Sequence, residues 1–367
     1  MARRLIPILV LLLLAAMPTV ASAYLPTGFV GISPQSGGTA KDYELMREAG
    51  ILSVRQPLNW GQVEPETPAF TERRWEAFDH EVRLAARAEM EIFPVVVNSP
   101  EWVASRGIDL PVTTSWQRRA WASFMRAAVR RYGPGGSFWT EEEDLPYEPI
   151  FRWEIWNEEN IVSFDANPEP KRFAVLMRIA GRVIHREAPG SKAIVGGLFG
   201  RPLQIPPNIA SGDFLSRLYR ARHVKPYFDG VALHPYVADA RAMGAQLKNL
   251  RRIMRRHGDG ATPLYVTELG WGSESGPTRW QRGLWGQANQ LSKAMAMLSA
   301  DRLEGGSCVF CHSAGLLNAK REAKPAWYRF NEWTGGDPTT VPRIGSRDEE
   351  REEEAAPVPR SEEAAAE

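Results

Sequence analysis

Short apolar runs alternate with longer amphipathic ones from about residue 28 to residue 335. The short runs, at 28–32, 52–56, 92–97, 151–156, 193–198, 230–233, 264–267 and 307–310, read as strands. Between them the apolar positions recur at spacings of three and four, which predicts helices. That periodicity is clearest over 74–90, 116–132, 172–187, 240–257 and 280–298. Eight strand–helix repeats over about 300 residues predict an α/β fold, a (β/α)8 TIM barrel, rather than an open doubly wound sheet. An open sheet would normally carry a Gly-rich phosphate loop after an early strand, and the chain has none.

The two ends depart from this alternation. Arg3 and Arg4 precede an apolar run from residue 5 to 16, and small residues lead to Ala21-Ser22-Ala23. This pattern predicts a signal peptide over 1–23 and a secreted or extracytoplasmic protein. About a dozen apolar residues fall short of the roughly 20 that span a bilayer, so no membrane association is expected after cleavage. From residue 347 onward nine acidic and three basic residues, without an aromatic, predict a disordered acidic tail over 346–367. The intervening stretch, 24–345, is expected to be one catalytic domain.

Formal net charge is +1, but the leader carries +2 and the tail −6, which leaves the body near +5. So small an excess excludes a nucleic-acid footprint. Arg251, Arg252, Arg255 and Arg256 read as a solvated helix face. Cys308 and Cys311 form C-x-x-C without the second pair or histidines that a zinc site needs. Residues three apart on a strand point to opposite faces, which disfavours a disulfide between them. Thirteen tryptophans are a stronger clue, because flat aromatic faces suit sugar rings as well as cores.

In a barrel of this kind chemistry sits at the C-terminal strand ends. The fourth window reads Phe151-Arg-Trp-Glu-Ile-Trp-Asn-Glu-Glu-Asn160, and the seventh Leu264-Tyr-Val-Thr-Glu-Leu-Gly-Trp-Gly272. Each ends an apolar strand with a glutamate, Glu158 and Glu268. Their separation of 110 residues is close to three repeats of about 37, so both should face one mouth. Two converging carboxyls are what glycosidic cleavage requires: one protonates the leaving oxygen, the other attacks the anomeric carbon. A separation of about 5–5.5 Å would give retention, and a wider one inversion. Glu154 shares the parity of Glu158 and is expected to enter an ion pair with a strand arginine. Glu159 is expected to project from the loop into solvent.

These windows resemble the retaining glycosidases of clan A, most closely glycoside hydrolase families 39 and 5. The matching residues are Trp156-Asn157-Glu158, Thr267-Glu268-Leu269-Gly270-Trp271, Arg55, Leu233-His234-Pro235-Tyr236, Ser99-Pro-Glu-Trp-Val103 and Lys324-Pro-Ala-Trp327. The resemblance covers essentially the whole body. It implies a retaining β-glycosidase with Glu158 as acid/base and Glu268 as nucleophile, acting on a carbohydrate without cofactor or metal. It implies that Asn157 meets the 2-hydroxyl and that His234 lines the pocket. Arg55 and Tyr236 would keep Glu268 ionised, while Glu158 would stay protonated. Trp60, Trp102, Trp156 and Trp271 are candidate sugar platforms, each equally readable as core packing. Two positions depart from the pattern. Glu159 stands where the families usually have Pro. The eighth strand runs into Cys308-Val-Phe-Cys311-His312 where they usually have a flooring Trp, so either Phe310 takes its place or the floor is missing. A glycan-binding barrel without turnover is the alternative reading.

Overall fold

The computed structural model describes residues 28–34, 37–69, 71–200, 205–301, 307–308, 315–318 and 321–341. The expected leader and tail, and Phe310, Cys311 and His312, lie outside these residues. Eight strands form one sheet: β1 (Gly31–Ser33), β2 (Ser53–Asn59), β3 (Glu91–Val97), β4 (Arg152–Asn157), β5 (Lys192–Phe199), β6 (Gly230–His234), β7 (Leu264–Val266) and β8 (Ser307–Cys308). Hydrogen-bonded neighbours run β7-β6-β5-β4-β3-β2-β1-β8, and every ladder is parallel. A parallel eight-stranded sheet with intervening helices is the (β/α)8 architecture that the alternation predicts. Among the described residues no ladder joins β7 to β8.

The apolar runs become strands because helices cover one sheet face and the barrel interior covers the other. All five residues of β6 are buried for that reason. Helix starts are set by local chemistry. Thr39 and Thr114 close capping boxes with Asp42 and Gln117 before the helices Ala40–Glu48 and Ser115–Tyr132. Glu169 caps Pro170–Glu187, whose first turn opens on Pro, and Asp239 caps Ala240–Arg256. The helices Ser211–Arg220 and Pro325–Thr334 complete stretches where the periodicity is weak. No described helix is long and apolar enough to cross a membrane.

Two strand boundaries differ from expectation for physical reasons. Gly28 adopts φ +77°, a left-handed turn, so β1 starts only at Gly31. Strand β2 continues through Pro57 to Asn59, in register with β3 from Ser53↔Glu91 to Asn59↔Val97. Its ladder with β1 ends at Val54, so the missing N–H of Pro57 lies beyond that edge. Inside the barrel Phe93, Ile194, Ala232 and Tyr265 pack as one small cluster, contributed by β3, β5, β6 and β7. The larger core lies between strands and helices and includes Trp60, Trp121, Trp153, Trp156 and Trp271.

Candidate active site

At the C-terminal mouth, five of the strands bring a single polar cluster together. Arg55 from β2 stands at its centre. Its Nε and Nη2 donate to the two oxygens of Glu154 (2.8 and 3.1 Å), its Nη1 donates to Glu268 Oε1 (2.8 Å), and Nη2 also donates to Asn157 Oδ1 (2.9 Å). The planar fork suits this task, since one guanidinium can hold two carboxylates in fixed directions. Glu154 therefore forms the expected ion pair with a strand arginine. Its Oε1 also accepts from the backbone N–H of Gly197 (2.8 Å) and the hydroxyl of Thr267 (3.2 Å).

Glu158 and Glu268 converge as the spacing predicts. One oxygen of each carboxyl and one ring nitrogen of His234 all lie within 4.8 Å of one another. His234 Nδ1 is 2.8 Å from Glu158 Oε1 and 3.5 Å from Glu268 Oε2. Tyr236 donates its phenol hydrogen to Glu268 Oε2 (2.8 Å). The backbone bends to make this convergence. Trp156 and Glu158 have φ of +70° and +45°, a left-handed conformation rare for residues with a Cβ. It turns the chain out of β4 at the acid, and the Glu158 N–H donates to the Gly197 carbonyl of β5 (3.2 Å).

Both carboxyls are nearly enclosed, each residue retaining 4% exposure, and this sets their protonation. Burial, then the negative charge of Glu268, pushes the Glu158 carboxyl up to about 8. Arg55 and Tyr236 lower Glu268 as expected, but the net shift is not the expected depression. Burial raises it too, against the lowering effects of Arg55 and the Tyr236 hydrogen bond. The asymmetry survives in the hydrogen bonds: Arg55 and Tyr236 donate to Glu268, and neither donates to Glu158. A proton entering this pair therefore rests on Glu158. His234 is fully buried, and burial with the nearby Arg55 charge holds its ring neutral. Glu158, His234 and Glu268 are also the one described trio whose spacing would suit a divalent cation. The hydrogen bonds to each of them, and the guanidinium beside them, fit proton chemistry instead.

The tryptophans divide. Trp60, Trp156 and Trp271 are buried, with indole N–H groups donating to Glu64, the Phe164 carbonyl and the Val237 carbonyl. Trp60 stacks on Phe124 at 5.2 Å. With no open face, these three rings pack the fold and are not platforms. Trp102 is half-buried and edge-on to Trp116, which is 45% exposed, so of the four candidates Trp102 keeps the most aromatic surface towards solvent. Glu159 is a further correction. It is fully buried, not solvated, and neither carboxyl oxygen has a hydrogen-bond partner.

Two contributors were missed in the sequence. A Cβ on Gly197 would overlap the His234 ring, and the ladder between β5 and β6 shifts register between Val195 and Leu198. The Gly196-Gly197 pair within a strand was the available signal for such a close approach. Thr267 opens the matching segment Thr267-Glu268-Leu269-Gly270-Trp271, but nothing there signalled its own role, which depends on a partner from β4.

The parallel barrel, with a pair of carboxyls at its C-terminal mouth, is a fold shared with glycoside hydrolases of known structure. No family model matches the sequence, and no curated protein does. Solved structures do. A glucosidase from Croceicoccus marinus superposes with TM-score 0.62 at 14% identity, covering 86% of this chain and 69% of that one. A family 39 glycoside hydrolase from Bacteroides cellulosilyticus gives 0.59 at 17%, covering 86% and 65%. Xylanase 10B from Thermotoga maritima gives 0.56 at 14%, covering 83% and 94%. The chain thus spans about two thirds of the length of the first two, and at these identities the likeness is one of fold.

Proposed function

We propose that the protein is a secreted retaining β-glycoside hydrolase acting on a poly- or oligosaccharide, with Glu158 as acid/base and Glu268 as nucleophile. The observation that carries this reading is the approach of two carboxyl oxygens to within 4.8 Å, one carboxyl held by Arg55 and Tyr236 and the other by neither. Closely approaching carboxyls are the arrangement that goes with retention, whereas inversion needs about 6.5–9.5 Å between the two groups for a water.

In the first step Glu268 attacks the anomeric carbon while Glu158 gives its proton to the departing glycosidic oxygen. A covalent glycosyl-enzyme results. In the second, Glu158, now a carboxylate, takes a proton from water, which attacks the same carbon and releases Glu268. Arg55 and Tyr236 orient the nucleophile, one on each oxygen. Arg55 occupies Asn157 Oδ1, which turns the amide N–H groups of Asn157 towards a sugar 2-hydroxyl. Trp102 supplies an aromatic edge for a neighbouring sugar. Two carboxyls complete the proton inventory, so the chemistry calls for no cofactor.

A 2-fluoroglycoside activated at the anomeric position should label Glu268, found by mass spectrometry of the peptide that contains it. Glu268→Ala should lose at least about 10⁴-fold in kcat and escape labelling. NMR should show the anomeric configuration retained in the first-formed product. Binding of glycans without turnover by the wild-type protein would instead favour a carbohydrate-binding barrel.

A further inference from the structure

We infer that Thr267 and Glu154 lock the imidazole of His234 in its Nε2–H tautomer, so that the bare Nδ1 faces Glu158 and accepts the proton of the catalytic acid. This rests on the reading of Glu158 as the acid/base.

The argument follows donors and acceptors along one chain of contacts. Glu154 is bound through both oxygens to Arg55 and is an acceptor only. The Thr267 hydroxyl, 3.2 Å from Glu154 Oε1, has that carboxylate as the place for its hydrogen. Its oxygen is then left to accept from His234 Nε2 at 3.1 Å. Glu154 Oε1 itself lies 3.9 Å from the same nitrogen, a second negative group favouring hydrogen there. A neutral imidazole has one N–H, so its Nδ1 carries a lone pair. That lone pair is 2.8 Å from Glu158 Oε1. A carboxylate there would set lone pair against lone pair. A protonated carboxyl makes a hydrogen bond.

The charged and titratable groups bonded to this cluster agree. Arg55 from β2, Glu154 from β4, Glu268 after β7 and Tyr236 after β6 surround the pair. One cation among three carboxyls already leaves one excess negative charge in an enclosed site, and an ionised Glu158 would make it two. Hydrogen bonding to the neutral form of an acid favours that form. The same lone pair works in both half-reactions. It keeps Glu158 loaded before protonation of the leaving group, and it leaves the later carboxylate without a donor from His234, so that it is a stronger base towards water. Thr267 and Glu154 are positioning residues here, since they act through His234. Gly197 belongs with them: its missing Cβ admits the ring, and its N–H helps fix Glu154.

The test is ¹⁵N NMR of the histidine rings in the full-length protein near pH 6.5, with His234 identified by the signals lost in His234→Gln. The expected spectrum shows Nε2 protonated and Nδ1 bare. Thr267→Val, which keeps the side-chain shape and removes the hydroxyl, should shift His234 towards the Nδ1–H form. It should also move the alkaline limb of kcat/KM downward by roughly one pH unit, and Thr267→Ser should restore both. A wild-type His234 carrying its proton on Nδ1, or on both nitrogens, overturns the inference. So does an unchanged tautomer in Thr267→Val. If that variant fails to fold, the wild-type spectrum decides alone. The ring signals need no turnover, so a protein that cleaves no glycoside still answers this question while failing the functional reading.

Discussion

Glu159 is a costly side chain to bury. Its carboxyl is fully enclosed, both oxygens lack partners, and burial raises it well above the usual carboxylate range, helped by the charges of Glu154, Asp165 and Glu158. An acid held neutral in the folded state binds a proton that the unfolded chain releases above about pH 4.5, so folding stability falls as pH rises from there. Asp165, pushed up to about 6 by burial, acts in the same direction over a narrower window. Glu159→Gln removes the titration and supplies two donors near the carbonyls of Ile155 and Trp156, which crowd the same point beside Gly196. We expect this variant to be more stable at pH 7 by about 1–2 kcal/mol, with the gain shrinking towards pH 4. Urea midpoints at the two pH values measure it. An equal shift at both would show that the carboxyl does not titrate with folding.

Among the elements, β5 shows how a strand serves a site it does not chemically join. Its unbroken register with β4 brings the Gly197 carbonyl to the Glu158 N–H and its N–H to Glu154, while its register shift faces β6. Gly197→Ala would drive a methyl into the His234 ring. We expect a loss of about 2–3 kcal/mol in stability and about a 100-fold loss in kcat from the displaced imidazole, read by thermal melts and steady-state kinetics. A near-normal kcat would mean that the ring position is not critical. Much of this level was legible in the sequence. The central strands and Glu158 with Glu268 stood out because each glutamate sits where a mainly apolar strand-like run ends. The ion pair of Glu154 followed from strand parity alone. What failed was burial. Trp60, Trp156 and Trp271 were readable as platforms because an indole looks the same in a core and in a cleft, and their enclosure is decided by distant residues such as Phe124, Phe164 and Val237. Glu159 was misplaced for the opposite reason: loop carboxylates usually meet water, and only the left-handed turn at Glu158 carries this one inward.

At the scale of the whole molecule, the enclosed mouth sets when the protein works. On the proposed mechanism Glu268 must be ionised to attack, and burial raises it, so activity should fall below a pH above the ordinary 4.5. On the same mechanism Glu158 must hold its proton, and it is pushed up to about 8, so the alkaline fall should begin near that value. A bell-shaped kcat/KM profile displaced upward on both sides is the expected result, with its limbs belonging to the coupled pair. A profile centred near pH 4–5 would show that water reaches these carboxyls far more freely than the barrel mouth indicates.

The left-handed backbone at Glu158 carries a consequence for how such a protein can change over generations. A residue with a Cβ at φ +45° costs roughly 1 kcal/mol that glycine does not, and its buried carboxyl adds to that cost. Mutation to glycine at this one position would relieve both at once and silence the acid. Drift under selection for folding alone would therefore run away from the glutamate, and on the proposed mechanism only selection for the acid opposes it.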